Sequence, residues 1–120
     1  MAQDETTIPD VARPLIAALV RELAAGNYGD LERDGRAGRL TAEDLRRVIA
    51  DYGATLIPLP DHAFEVGGNA YPIEGSDPPE WAIDQDLWTK EEGRSDLTLQ
   101  VDVKVAGTEY RLEVTDLHVL

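Results

Sequence analysis

Two histidines and a few carboxylates are the residues whose types and spacing could do chemistry in this chain. His118 stands two residues after Asp116. On an extended strand side chains at i and i+2 share a face, so the pair could act as a general base oriented by a carboxylate. His62 follows Asp61 and precedes Glu65. The plainer account of both histidines is a surface contact with the neighbouring acid. They lie too far apart in sequence for a metal-ligand spacing, and the chain has no cysteine, so neither a metal site nor a disulfide is expected. Neither Ser76 nor Ser95 sits in a nucleophile elbow, and Gly67-Gly68 lacks the strand-to-helix setting of a phosphate loop. Asp84 and Asp86 fit a solvated strand face better than a hydrolytic pair. No catalytic residue is assigned and no cofactor is expected.

The segment Leu87-Trp88-Thr89-Lys90-Glu91-Glu92-Gly93-Arg94-Ser95-Asp96-Leu97 is the least dictated by folding needs. As a hairpin connection, Thr89 caps a turn, Glu92 reaches back to it, Gly93 takes positive φ and Arg94 pairs with a nearby carboxylate. As a recognition element, Trp88 is an exposed aromatic anchor, while Glu91, Glu92 and Asp96, with Arg94 among them and Asp84 and Asp86 on the preceding strand, meet a partner. The two readings are compatible. A third group, Tyr71 and Trp81 with Asp116 and His118, could line a cavity under a sheet.

Charge narrows the classes of partner. The 120 residues carry 11 Lys+Arg against 24 Asp+Glu, a formal net charge of −13. Residues 1–60 hold 7 basic and 10 acidic groups, and residues 61–120 hold 4 and 14. Such a surface is repelled by phosphates and anionic membranes, which speaks against a nucleic-acid or membrane partner and for a basic protein. The first residues are acidic and no apolar leader follows them, so a cytoplasmic location is expected.

These groups need elements to position them. Asp10 can cap a helix reaching about Ala25, with Val11, Leu15, Leu19 and Leu23 every fourth residue and Gly26 ending it. Residues 26–39 read as a loop or broken turn. Thr41 with Asp44 makes a capping box for a second helix, Leu40 and Leu45 a hydrophobic staple, and Gly53 its end. Strands are expected at 54–59, at 63–66 and, at an edge because of Pro72, at 70–73. Trp81 to Trp88 alternates with period two, as do Leu97 to Val105 and Tyr110 to Val114, with a bulge near Thr115-Asp116. The sum is one α+β domain over 1–120: two or three N-terminal helices on one face of a curved antiparallel sheet of four to six strands, with residues 1–9 as a flexible tail.

Helices before a sheet that ends in two long strands, with L-x-x-G-x-Y at Leu23 to Tyr28, resemble the cone-shaped domains of nuclear-transport-factor-2-like and cystatin-like architecture. The stretch from Trp81 to Leu120, with LWTKEEGRSDL and the ending DLHVL, resembles short bacterial proteins grouped with the immunity proteins of polymorphic toxin systems. That resemblance implies a cytoplasmic protein that neutralises a toxin domain and carries over no catalytic residue. The chain departs from the enzymes of the cone-shaped class in that no convincing counterpart of their acid–base pair faces an expected pocket. The expected function is therefore an acidic inhibitor of a basic partner; the alternatives are a small-molecule-binding or enzymatic cone with a pocket under the sheet, and a homodimeric structural accessory.

Overall fold

Helix α1 (Arg13–Ala25) buries Ile16, Leu19, Val20 and Leu23 on one stripe, carries Pro14 in its first turn, and stops at Gly26, whose φ of 79° is left-handed. This computed structural model describes residues 7–119. Residues 1–6 of the expected tail lie outside that range, as does Leu120, and Ile8 is buried in the core. Ile8 also explains where α1 begins. Ala12 N donates to Pro9 O at 3.0 Å, and the resulting turn leads Ile8 inward, so the first helical residue is Arg13 and Asp10 is left exposed and uncapping.

The glycine-rich stretch is more ordered than its composition suggests. Tyr28–Arg33 forms a six-residue helix, α2, around the buried Leu31. Helix α3 (Ala42–Tyr52) has the expected reciprocal capping box: Asp44 N donates to Thr41 Oγ1 and Thr41 N to Asp44 Oδ2, each at 3.0 Å, and Gly53 ends it at φ 85°.

Pro58 and Pro60 leave the first strand only two residues, β1 (Leu56–Ile57). The expected strand at 63–66 is instead one turn of helix, α4 (Ala63–Val66). Four such residues are ambiguous by periodicity, and here tertiary contact decides: the Arg13 guanidinium lies over the Phe64 ring and pairs with Glu65. Then follow β2 (Gly68–Pro72), β3 (Trp81–Thr89), β4 (Gly93–Ala106) and β5 (Glu109–Val119).

All pairing is antiparallel. β1 and β2 share one edge of β3, and β4 and β5 continue the sheet on its other side. The sheet curls into a half-barrel, giving the α+β architecture expected. Its inner face presents Ile83, Leu87, Leu97, Leu99, Val101, Val103, Leu112, Val114 and Leu117 to α1–α3 in one continuous core. The bulge falls where the phase slip places it, because Gln100 pairs with Asp116 but Val101 with Val114. Beyond β5, the main chain of residues 34–38 closes part of the edge, with Val114 N donating to Arg36 O at 2.7 Å.

Candidate functional site

The outer sheet face is built by register. Alternation sends Asp84 and Asp86 of β3, Thr98, Gln100, Asp102 and Lys104 of β4, and Arg111, Glu113, Asp116 and His118 of β5 away from the helices. Pairing then aligns them into rungs: Tyr71, Ala82, Asp102 and Glu113; Asn69, Asp84, Gln100 and Asp116; Asp86, Thr98 and His118. Residues more than thirty positions apart, such as Asp84 and Asp116, thereby come onto one rung. Two groups that the sequence keeps apart, Asp84/Asp86/Arg94 and Tyr71/Asp116/His118, thus lie on one surface.

Neighbouring side chains are tied across the strands. Asp86 accepts from Arg94 Nε at 2.9 Å and from Thr98 Oγ1 at 3.1 Å, while Gln100 Nε2 donates to Asp84 at 3.0 Å. His118 Nδ1 lies 3.0 Å from Asp116 Oδ2 but outside hydrogen-bonding geometry, and that nitrogen is closed off from solvent. Asp116 Oδ1 accepts from Leu117 N at 2.9 Å, beside the bulge. The carboxylate is therefore part of the strand's own turn, not a dedicated orienter of an imidazole.

The cavity expected from Tyr71, Trp81, Asp116 and His118 is not assembled. Tyr71 is exposed at the β2 edge, Trp81 packs inward with its ring 5.8 Å from that of Tyr110, and Asp116 and His118 sit on the outer face. The reason is strand parity: Trp81 pairs with Val103 of the inner face, whereas Tyr71 pairs with Ala82 of the outer one. Two clefts lie elsewhere, on either side of Arg111.

The β3–β4 hairpin also differs from its recognition reading in one respect. Trp88 is only 6% exposed, with the His62 ring edge-on at 5.9 Å, so it is a packed side chain and not an exposed anchor. The segment of residues 58–67, arching between β1 and β2, brings His62 over it. The turn chemistry is present in full: Thr89 Oγ1 bonds Glu92, Gly93 has φ 74°, and Arg94 pairs with Asp86 at 2.8 Å. Glu91 accepts from Thr55 N at 2.7 Å and Thr55 Oγ1 at 2.8 Å. Those donations, the backbone one foremost, hold its carboxyl below the ordinary range. Glu92 accepts from the Tyr52 hydroxyl, and Asp96 N donates to the same oxygen at 3.2 Å. Glu91 and Glu92 are exposed yet held, and together with the Asp96 main-chain N–H they fasten the hairpin to α3 and the residues after it.

Among the described residues, no three histidine or acidic side chains converge as a metal-binding group, and no helix is long and apolar enough to cross a membrane.

A family model described as a domain of unknown function, DUF7668, matches residues 20–120. The chain belongs to this family. The DUF7668 match takes in all five strands and the whole outer face, and it begins inside α1. No curated protein and no solved structure matches the chain. Sequence reasoning missed Arg36, Tyr110 and Arg111 as cleft residues, because only the fold brings the 34–36 loop against β5.

Proposed function

We propose that this DUF7668 chain is an acidic protein-binding module that docks a basic partner on its outer sheet face. One observation carries the reading: the exposed Tyr71 shares a sheet face with Asp84, Asp86, Asp102, Glu113 and Asp116. Interfaces draw much of their energy from aromatic anchors surrounded by a polar rim. Tyr71 takes the place that Trp88 cannot. Cations on the same face are fewer, and Arg94 is committed to Asp86. The surplus negative charge would speed encounter with a basic surface and make it sensitive to salt.

The resemblance to immunity proteins gives the reading its specific form, a cytoplasmic inhibitor that covers the basic working surface of a toxin domain. No catalysis by this chain is required. The test is capture from native lysate at low and high salt with the wild type and an Asp84→Asn/Glu113→Gln/Asp116→Asn variant. A single basic protein held at low salt by the wild type and lost by the folded variant supports docking here. Equal retention by both excludes this face, and a partnerless homo-oligomer moves the function to a structural accessory.

A further inference from the structure

Arg111 shares with Arg21 and Arg39 the lack of an ion pair among the described residues, and of these three it is the one that lines a cleft. Arg13, Arg33, Arg36, Arg46, Arg47 and Arg94 all contact a carboxylate. Arg111 makes no ion pair among the described residues, and its recorded bond is to the main-chain oxygen of Asp34, at 3.2 Å from Nη2. The Asp34 carboxylate is already taken. Arg36 donates to it from N, Nε and Nη2 at 3.0, 2.9 and 2.7 Å, and Arg36 also reaches Glu22 at 3.3 Å. A guanidinium offers five N–H donors in a rigid fork, so most of those on Arg111 remain for a ligand.

Beside it opens a cleft of about 300 Å³ between α1, the 34–36 loop and the start of β5. It is lined by Leu15 and Ala18 of α1, by Tyr110, Arg111 and Leu112 of β5, and by Asp34 and Arg36 of the loop. An apolar wall with a convergent cation is the usual form of a small-molecule site, and this volume is at the small end of that range. In a chain of net charge −13, Arg36 is already matched by Asp34 and Glu22, so the unpaired Arg111 guanidinium is what gives an anion local attraction at this cleft.

We propose that this cleft binds a small monocarboxylate with an apolar body, its carboxylate on Arg111 and its body along Leu15, Ala18 and Leu112. The inference is independent of protein docking on the outer face. Asp34, held below the ordinary range chiefly by Arg36, opposes a doubly charged ligand more than a singly charged one, which favours a monocarboxylate.

The experiment is a titration of the full chain with octanoate and, separately, octanamide, followed by amide chemical shifts in a ¹H–¹⁵N spectrum. Octanoate should bind roughly tenfold more tightly than octanamide, the size of one charge-assisted pair, with shifts centred on Leu15, Ala18 and Leu112. Arg111→Gln should bring the two affinities together while leaving the rest of the spectrum in place. Ala18→Met, which fills the cleft from the half-buried face of α1, should weaken both. Equal affinity of the two probes in the wild type, shifts centred elsewhere, or no saturable binding of octanoate would each overturn the proposal.

Discussion

The Tyr52 hydroxyl, on the last residue of α3, lies 2.8 Å from Glu92 Oε1 and 3.0 Å from Oε2, at the tip of a hairpin forty positions further along the chain. The same oxygen accepts from Asp96 N. One phenol therefore joins the turn and the first residues of β4 to the helix end, and Glu91 repeats the fastening at Thr55. The hairpin's acids have structural duties before any partner arrives.

A double-mutant cycle on Tyr52→Phe and Glu92→Gln should give a favourable coupling of about 0.5–1 kcal/mol, small because the pair is open to water. Additive losses in urea midpoint would mean that the bond contributes no net stability. Burial first, and the Glu92 contact second, push the Tyr52 hydroxyl above its usual 10.0. Its contribution is thus complete below that value and fades as the pH rises through the folded-state value, a fade that Tyr52→Phe should remove.

Glu91 has the opposite sign. Its carboxyl is held below the ordinary 4.5 by Thr55, as that of Asp44 is held below 3.8 by Thr41. Both contributions are whole above those ordinary values and are lost as the pH falls through the lower folded-state ones. Urea midpoints measured from neutral pH into acid should fall for the wild type over that window. Glu91→Gln should start lower at neutral pH and fall less; parallel curves would show that the Thr55 contacts do not persist in solution.

Trp88→Ala tests whether this side chain belongs to the core or to an interface. At 6% exposure, its loss should cost about 3–5 kcal/mol, a large share of a domain's stability. A urea midpoint within error of the wild type would return Trp88 to the surface and reopen its role as an anchor. Tyr71→Ala is the matched control, since an edge residue 48% exposed should change stability little.

Much of this architecture could be read from local chemistry. The Thr41/Asp44 box, the ends at Gly26 and Gly53, the alternation of Leu97 to Val105 and the slip at Thr115-Asp116 are all written within a few residues of where they act. What stayed hidden depended on pieces distant in sequence. Phe64 and Glu65 become helical because Arg13 meets them, and Trp88 is covered because His62 swings over it. The candidate surface was half legible: alternation gave the faces of β3 and β4, but only the register across the bulge sets Gln100 opposite Asp116 and Thr98 opposite His118.

The edge of β5 gives the last prediction. Gly38 has φ +64°, and a Cβ there would stand 2.3 Å from Val114 O and 3.0 Å from Glu113 Cγ. The first obstacle is main chain, which cannot rotate away. Left-handed backbone alone costs a non-glycine residue roughly 1–2 kcal/mol, and the clash forces residues 34–38 off the strand as well. Gly38→Ala should therefore lose well over 1 kcal/mol in urea unfolding and speed hydrogen exchange at Val114 N, whose bond to Arg36 O holds the loop down. Gly53→Ala makes the comparison fair, because its φ is +85° with nothing within 4 Å of a Cβ: it carries the backbone cost without the collision. Equal losses in the two variants would show that the 34–38 loop is not pressed against β5, and the Arg111 cleft, which that loop walls, would lose its shape with it.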